Sequence, residues 1–357
     1  MRCFNFAPGP AALPLEVLEV IRDELFDFRG EGASIMEISH RSPAFAKVIG
    51  EAETGIRTLL GVPDGYDVLF MQGGGHQQFS AVPLNLLGTR RKADYIVNGT
   101  WSRKALKEAQ KFCEVNVAAL DDGTRAPRQQ ELRLDPDAAY VYYCDNETVH
   151  GVEFDYVPET GGVPLVADMS SNIMTRPVDV SRFGAIWFGA QKNFGIAGLA
   201  IALVRHDLIG KAGPACPVML NWKTYAQSGS LFNTPPVFAI YVSSLVCRWL
   251  LQQGGVKEMQ RRSALKSGLL YQTIDESEGF YRSRVQKDSR SRMNVTFALR
   301  DESLNEPFLA GALERGLKGV KGHRSVGGMR ASLYNAVPQE GVQALADYMK
   351  EFARRHG

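Results

Sequence analysis

The sequence predicts an α/β protein with a large domain, built on a mostly parallel sheet covered by helices, and a smaller α+β domain at the C-terminus. From Tyr66 onward, short apolar runs alternate with helical or loop segments of ordinary crossover length, which is typical of a parallel sheet buried on both faces. This alternation stops after Val237. A chain of 357 residues, 45% hydrophobic and 22% charged, is long enough for one large core and a second, smaller one.

The first third of the chain begins with helices. Pro14 opens the pattern PLEVLEVIRDELFDF (14–28), and Ser42-Pro43 opens a second helix that Gly61 ends. A serine cap followed by proline is a common helix start, and glycine is common just beyond a helix end. The predicted strands then follow in chain order: YDVLFM (66–71), ADYIVN (93–98), YVYYC (140–144), VPLVAD (163–168), AIWFGA (185–190) and LAIALV (199–204).

The C-terminal part of the sequence predicts the smaller domain. Two helical stretches after Val237 are followed by RMNVTFAL (292–299), a helix over 308–315, the segment GGMRASLYN (327–335) and a last helix from Pro338. We expect residues 15–250 to form the large domain. Residues 1–14 and 251–357 are expected to form the small domain.

Composition excludes several classes of function. The formal charge is +2, from 41 basic and 39 acidic residues, so charge gives no argument for a nucleic-acid partner. The five cysteines are odd in number and scattered, which argues for reduced thiols and against a structural metal site. The longest apolar stretches are shorter than the roughly 20 residues that span a bilayer. The N-terminus lacks an apolar segment of signal-peptide type, so we expect a cytoplasmic protein without a membrane partner.

Lys192 is the most informative residue of the chain. It follows the predicted strand 185–190 in a turn flanked by Phe188 and Phe194, where it would lose much of its hydration. Desolvation disfavours the ammonium and leaves a neutral amine able to attack a carbonyl. Asp168 ends the preceding predicted strand, and ligands of open α/β sheets bind at the carboxyl ends of the strands. Two strand ends should therefore present an amine and a carboxylate to one site.

This pair of groups is what pyridoxal phosphate requires. A lysine holds that cofactor as a Schiff base, and a carboxylate at the pyridine nitrogen keeps the ring protonated. Taken alone, each residue would more often be a turn residue or a helix cap. The turn 73–76 can offer backbone amides to a phosphate, although its spacing matches neither a P-loop nor a dinucleotide fingerprint. Trp101, after the next strand, can stack on a flat ring.

Nine segments together resemble one enzyme family over essentially the whole chain: FNFAPGPAALP (4–14), MEISHRS (36–42), GGGHQQF (73–79), YCDNETVHG (143–151), ADMSSN (167–172), GAQKNFG (189–195), LFNTPP (231–236), KGHRSVGGMRASLYNA (321–336) and EFARRHG (351–357). The family is that of the phosphoserine aminotransferases, class V members of the fold-type I pyridoxal-phosphate-dependent enzymes. The resemblance implies the fold-type I architecture and pyridoxal 5'-phosphate as cofactor. It also implies a homodimer with shared active sites.

The resemblance assigns roles residue by residue. It implies Lys192 as the Schiff-base lysine, Asp168 as the partner of the pyridine nitrogen, and Trp101 as the residue stacked on the ring. Further cofactor contacts would come from Thr148 and Gln191 at the ring, from Gly75 and His76 at the phosphate, and from Asn233 and Thr234 of the partner subunit. Many members of the family carry an arginine where this chain has His76, which leaves the side-chain contribution at that position open.

Positive charges mark the substrate side of the predicted site. Arginine forks suit carboxylate and phosphate groups, and glycines at 319, 322, 327 and 328 bracket one cationic cluster in a loop that admits a ligand. By resemblance, Arg330 would bind the α-carboxylate common to both substrates. The distal phosphate or γ-carboxylate would face four further residues, some of them across the dimer interface: His40, Arg41, His323 and Arg324.

The activity implied is reversible amino transfer from L-glutamate to 3-phosphohydroxypyruvate, giving O-phospho-L-serine and 2-oxoglutarate for serine biosynthesis. Within the class, another aminotransferase or a desulfurase is the alternative. A non-catalytic phosphate-binding module that retains the fold is an alternative from a different class. The sequence leaves open whether 4-phosphohydroxythreonine, a phosphorylated analogue tied to pyridoxine biosynthesis, is also a substrate.

Overall fold

The strands and helices of the chain are given by a computed structural model that describes residues 2–357. The strands are β1 (Phe4–Asn5), β2 (Tyr66–Gln72), β3 (Lys92–Val97), β4 (Glu114–Leu120), β5 (Val141–Cys144), β6 (Asn146–Glu147), β7 (Val152–Glu153), β8 (Leu165–Asp168), β9 (Ala185–Gly189), β10 (Leu199–Arg205), β11 (Tyr281–Arg282), β12 (Asn294–Leu299), β13 (Leu317–Lys318) and β14 (Met329–Ser332). The α-helices are α1 (Leu15–Asp23), α2 (Pro43–Leu60), α3 (Gly75–Leu86), α4 (Thr100–Ala109), α5 (Trp222–Gln227), α6 (Val237–Gln252), α7 (Gly255–Asp275), α8 (Asn305–Glu314) and α9 (Gln339–His356).

The large sheet has the strand order β2-β10-β9-β8-β5-β3-β4. The neighbours from β9 to β4 all pair in parallel, whereas β10 runs antiparallel to both β9 and β2. The predicted α/β class with a mostly parallel sheet is therefore confirmed. All six apolar runs predicted as strands lie in this sheet.

Helices cover both faces of the large sheet, which explains why its strands read as continuous apolar runs. In β9, Ile186 and Phe188 point into a core that α2 and α6 complete. The alternate residue Trp187 points into a second core, formed with α3, α4 and α5. Side chains alternate between the two faces of a strand, so both sets must be apolar.

The connection from β9 to β10 is a hairpin at the carboxyl edge of the sheet. Ala200 pairs with Gly189, and the N–H of Ala190 donates to the carbonyl of Leu199 at 2.9 Å. Both ends of the loop 190–198 are thus fixed at the same edge. This loop carries Lys192.

A three-stranded antiparallel sheet, β11-β12-β14, packs with α7, α8 and α9 around a separate apolar core. The N-terminal strand β1 pairs in parallel with β13 and brings Phe6 into that core. The division into residues 15–250 and residues 1–14 with 251–357 stays a prediction.

Of the two predicted N-terminal helices, the second is confirmed and the first was predicted too long. Ser42 caps α2 by accepting the N–H of Phe45, and Gly61 ends the helix with φ 60°, as predicted. The first helix was predicted over 14–28 but α1 ends at Asp23. The chain then turns, with positive φ at Arg29 and Gly30, so that Phe28 packs in the core while Phe26 is exposed. Helical periodicity therefore overestimated the length of this helix.

Strand β4 was not among the predicted strands. It forms the edge of the large sheet, and much of it is exposed or half-buried, so it lacks the apolar run that marks the buried strands. None of the helices between residues 2 and 357 combines the length and the apolar character needed to cross a membrane.

Candidate active site

A cavity opens at the carboxyl edge of the large sheet, where β2, β3, β5, β8 and β9 end. We call it the lysine cavity, and it is lined by Gly75, His76, Phe79, Trp101, Cys144, Asn146, Thr148, Asp168, Ser170, Ser171, Trp187, Gln191 and Lys192. Seven of these thirteen residues were predicted from the sequence as cofactor contacts. The structure therefore brings together the Schiff-base candidate, its carboxylate and the predicted ring and phosphate contacts.

Lys192 lies in the hairpin loop and is 9% exposed. Its Nζ donates to Thr148 Oγ1 at 2.8 Å. Burial lowers the pKa of this amine, and the nearby carboxylate of Asp168 opposes the shift. A Cβ added to Gly9 would lie 3.6 Å from Cγ of Lys192, so the N-terminal turn packs directly on the lysine stem. The amine is therefore desolvated and held in place, but only one side-chain acceptor engages it.

Asp168 ends strand β8 and is 5% exposed. Its Oδ1 accepts from the backbone N–H of Ser170 at 2.9 Å and from the Ser170 hydroxyl at 2.6 Å. The same hydroxyl accepts from the N–H of Gly189 at 3.1 Å and so ties the ends of β8 and β9 together. Burial raises the pKa of Asp168, while Lys192 and Ser170 oppose that rise.

The start of α3 forms the glycine-rich side of the cavity. Gly73 and Gly74 have positive φ (93° and 72°), and α3 begins at Gly75 with no side-chain cap. The first amides of a helix lack intrahelical partners and favour an anion. A Cβ on Gly75 would lie 3.3 Å from the ring of Trp187, so this position has little room for a side chain.

Trp101 lies in the first turn of α4, and its indole nitrogen is buried without a hydrogen-bond partner within residues 2–357. The ring of His76 meets it edge-on at 5.5 Å between centroids. The ammonium groups of Lys104 and Lys192 lie 4.4 Å and 5.7 Å from its centroid. An aromatic face, a buried amine, a carboxylate and helix-start amides now border one cavity. This set of groups fits a phosphorylated pyridine aldehyde such as pyridoxal phosphate.

Arg330, His323 and Arg324 line a second cavity of about 560 Å³. Arg330, in β14, is 5% exposed; it donates through Nη1 to the carbonyl of Thr148 at 3.2 Å, and its Nε is unpartnered within residues 2–357. Thr148 lines the lysine cavity and its neighbour Val149 lines the second one. The guanidinium of Arg330 thus connects the two cavities.

The loop that carries His323 is closed tightly on itself. The N–H of Gly322 donates to the carbonyl of Gly328 at 2.8 Å, and a Cβ on Gly322 would lie 2.1 Å from the carbonyl oxygen of Gly327. His323 Nδ1 is paired with Ser325 Oγ at 2.7 Å. Burial, together with the positive charge of Arg330, lowers the pKa of His323. Gly322 and Gly328 have no space for a side chain, whereas Gly327 is favoured by its positive φ of 75°.

Four predicted residues lie outside both cavities: His40, Arg41, Asn233 and Thr234. His40 and Arg41 precede α2, and the N–H of Arg41 donates to Ser39 Oγ. Asn233 Nδ2 donates to Gln72 Oε1 at 3.1 Å. Within one chain, therefore, none of these four side chains lines the cavity that contains Lys192.

Sequence reasoning missed six residues that line the lysine cavity: Phe79, Cys144, Asn146, Ser170, Ser171 and Trp187. Ser170 carried a usable signal, because a serine two positions after an aspartate often closes a local side-chain turn. Asn146 carried none. Its Nδ2 donates to Ser171 Oγ at 2.7 Å and to Asn294 Oδ1 at 2.8 Å, and that arrangement exists only after distant segments meet.

Comparisons with known proteins identify the family to which this chain is similar. The family described as Aminotransferase class-V matches residues 3–345. The phosphoserine aminotransferase of Azotobacter vinelandii is 55% identical over 359 residues, covering 100% of this chain and 99% of that protein. The solved phosphoserine aminotransferase from Bacillus circulans subsp. alkalophilus superposes with a TM-score of 0.98 at 45% identity, covering 100% and 99% of the two chains. A pyridoxal-phosphate-bound phosphoserine aminotransferase from Trichomonas vaginalis gives 0.94 at 38% identity, covering 98% and 100%.

Proposed function

This chain belongs to the class V aminotransferase family, and we propose that it transfers an amino group reversibly from L-glutamate to 3-phosphohydroxypyruvate. The products would be 2-oxoglutarate and O-phospho-L-serine, which places the reaction in serine biosynthesis. One observation carries the proposal: seven predicted residues from five segments line a single cavity in a chain 55% identical to a phosphoserine aminotransferase.

The cofactor is pyridoxal 5'-phosphate. When bound, it carries the amino group between the two substrates and accepts the electron pair released at the substrate Cα. Asp168 would hold a proton at its pyridine nitrogen, and Trp101 would cover the ring. The amides at Gly75 and His76 would take the phosphate, with Thr148 and Gln191 as further ring contacts.

Lys192 would supply both the attachment point and the base. Its lowered pKa leaves more neutral amine at a given pH than an ordinary lysine offers. With the cofactor bound, Nζ would act as the base that takes up and returns the proton at the substrate Cα. Thr148 Oγ1, at 2.8 Å, would keep the amine in position during that transfer.

Substrate recognition would rest on cations at the mouth of the cavity. Arg330 is buried with an unpartnered Nε in the described part of the chain, and a fork of this kind suits the α-carboxylate shared by both substrates. His323 and Arg324 would face the phosphate or the γ-carboxylate. Each substrate carries an α-carboxylate and a second anionic group at its distal end, which explains why one cationic pocket can serve glutamate and the phosphorylated keto acid alike.

We propose a homodimer that completes the site. His40, Arg41, Asn233 and Thr234 line neither cavity of their own chain, which is consistent with a site that they complete on a second copy. Two large apolar side chains close to them in sequence are exposed, Met36 (57%) and Phe232 (51%), and a second copy could cover them. Measuring the mass of the purified protein in solution by light scattering tests this assembly.

A desulfurase is disfavoured by the one cysteine that lines the lysine cavity. Cys144 is 2% exposed at the end of β5, and burial raises the pKa of its thiol well above the usual range. A desulfurase needs a reactive thiolate, which such a setting suppresses. The described cysteines are all free thiols, which supports our proposal of a reducing, cytoplasmic location.

The deciding experiment is a coupled assay of phosphoserine and 2-oxoglutarate interconversion, with alanine as a competing amino donor. Faster turnover with alanine would refute the substrate assignment. Formation of 2-oxoacid product from 4-phosphohydroxythreonine in the same assay would extend the substrate class to that analogue, whereas inhibition alone would show only that it binds. Purified protein should also be yellow and lose that colour on borohydride treatment, whereas colourless protein that cannot be reconstituted would indicate a non-catalytic module.

A further inference from the structure

A buried carboxylate outside the lysine cavity holds the start of the helix that carries Trp101. Glu147, in β6, has a relative exposure of 0%. Its Oε2 accepts the backbone N–H of Trp101 at 2.9 Å, and its Oε1 accepts the N–H and the hydroxyl of Ser102, both at 2.7 Å. These amides belong to the first turn of α4, where N–H groups lack partners and an anion is favoured. Glu147 therefore caps α4 from a different strand.

Gly99 makes room for this carboxylate. It is the residue before α4, the position where a serine or aspartate would normally cap the helix. A Cβ built on Gly99 would lie 2.4 Å from Cδ and 2.7 Å from Oε2 of Glu147. Any side chain at position 99 must therefore displace the carboxylate. The glycine and the glutamate are a matched pair.

Apart from the hydrogen bonds from Trp101 and Ser102, little offsets the cost of burying the Glu147 carboxylate. No lysine or arginine among residues 2–357 forms an ion pair with Glu147. Burial raises the pKa of Glu147, and the three donors from Trp101 and Ser102 oppose the rise. A buried charge is weak evidence for stability but can fix a unique geometry. Here the geometry it fixes is that of the Trp101 backbone.

The residue after Glu147 connects this cap to the reactive amine. Thr148 accepts from Nζ of Lys192 through its hydroxyl and from Arg330 through its carbonyl. Two consecutive residues of one short strand end thus contact the helix of Trp101, the amine and the substrate-side guanidinium. A shift of Glu147 would change the distance between Trp101 and the amine.

We propose that Glu147 is a positioning residue for the Trp101 ring, and that Gly99 is kept free of a side chain to admit its carboxylate. The inference rests on the proposed function in one respect, that the cofactor binds against Trp101. Glu147 itself does not line the lysine cavity, so it acts through the helix start and not by touching the cofactor.

The test is a double-mutant cycle on cofactor affinity, measured with pyridoxal phosphate alone and without any amino-acid substrate. Glu147→Gln replaces one acceptor oxygen by a donor facing the α4 amides, and this should weaken binding about tenfold because a buried amide loses its partner. In a Trp101→Leu background the same change should alter affinity less than about twofold, because coupled residues are not additive. Equal losses in both backgrounds would overturn the proposal, as would no loss in either.

Gly99→Ala should also displace the Glu147 carboxylate, so a cycle of Gly99→Ala with Trp101→Leu tests the same coupling. This second cycle is used if Glu147→Gln fails to fold. Asn221→Ala is the control, because Asn221 caps α5 through the N–H of Lys223 and lines neither cavity. It should lower the melting temperature without changing cofactor affinity. Hydrogen exchange of the Trp101 and Ser102 amides should become faster in Glu147→Gln and in Gly99→Ala, but not in Asn221→Ala. If the wild-type protein binds no pyridoxal phosphate, the proposed function is refuted. If it binds the cofactor but the effects of the two substitutions simply add, only the positioning role of Glu147 is refuted.

Discussion

Two lysines are buried among residues 2–357, Lys192 and Lys266, and their hydrogen-bond partners differ. The difference indicates a reactive role for the first and a structural role for the second. Lys192, at the edge of the large sheet, donates to a single side-chain oxygen, that of Thr148. Lys266, on α7 in the C-terminal part, donates to three backbone carbonyls, those of Leu333, Tyr334 and Val337, at 2.9, 2.8 and 3.0 Å. Three acceptors match the three N–H groups of an ammonium.

Burial lowers the pKa of both lysines, and for Lys266, where the positive charge of Arg262 adds to the effect, it lowers the pKa to about 7. The difference therefore lies in the acceptors and not in the degree of burial. An amine whose donors are all engaged ties segments together. An amine with one hydroxyl and a facing cavity is available to react. Burial of a lysine alone does not identify a catalytic site.

Removal of the Lys192 amine should have the largest effect on activity. Lys192→Ala should lower turnover of phosphoserine with 2-oxoglutarate by at least about a thousandfold, because attachment point and base are lost together. The protein should still fold and still bind pyridoxal phosphate non-covalently. Turnover within about tenfold of wild type would assign the base to another residue.

The next largest effect should come from the carboxylate that distinguishes the setting of Lys192. Asp168→Asn should reduce turnover by about a hundredfold, because an amide cannot stabilise positive charge at the pyridine nitrogen. Ser170→Ala is the matched control, since it removes a hydrogen bond to Asp168 but keeps the carboxylate. It should cost far less activity. A near-normal rate for Asp168→Asn would make that carboxylate purely structural.

Removing the amine of Lys266 should affect stability and not chemistry. Lys266→Met leaves three buried carbonyls without a donor and should lower the free energy of unfolding by about 2 kcal/mol. Lys257→Met, at an exposed position of the same helix, is the control and should change stability little. Denaturant unfolding measures both. A large loss of turnover per folded molecule in Lys266→Met would contradict the structural assignment.

Substrate binding should respond to the cation that connects the two cavities. Arg330→Lys should raise the KM for phosphoserine and for 2-oxoglutarate by about tenfold each, since the two-pronged grip on the common carboxylate is lost. Arg300→Lys provides a matched exchange at an exposed arginine that lines neither cavity. If only one substrate is affected, Arg330 does not bind the shared carboxylate.

The smallest effect that we expect is a shift in the pH dependence of pyridoxal phosphate capture by Lys192. The pKa of Lys192 is lowered, so its neutral amine persists to lower pH than that of a free lysine, which titrates near about 10.4. Capture of pyridoxal phosphate by cofactor-free protein should therefore level off at lower pH than capture by Nα-acetyl-lysine amide. Asp168 opposes the lowering, so Asp168→Asn should move the profile to still lower pH. A midpoint at or above that of the free amine would contradict the desolvation argument.

The sequence predicted those parts of the molecule that local patterns determine. Six buried strands appear as apolar runs, and Lys192 and Asp168 follow two of them, so their meeting at one sheet edge could be predicted. Edge strand β4 is half-exposed and lacks that pattern. From the sequence alone, Lys266 would be assigned to the exposed face of a polar helix. Its burial depends on three backbone carbonyls from residues 333–337, which are distant in sequence. Glu147 likewise has no local signal, because the helix that it caps begins 47 residues earlier in the chain.

The hairpin that joins β9 to β10 has a consequence for how the reactive amine is assembled. Its two strands are neighbours in sequence, so the pairing that closes the loop carrying Lys192 has low sequence separation and requires little loop-closure entropy. The chain can therefore set this geometry early, before the distant segments around Thr148 and Arg330 dock. New chain termini introduced between Gly189 and Leu199 would turn this local closure into a long-range one, and they should slow refolding more than termini placed in the exposed turn at Gly161 and Gly162.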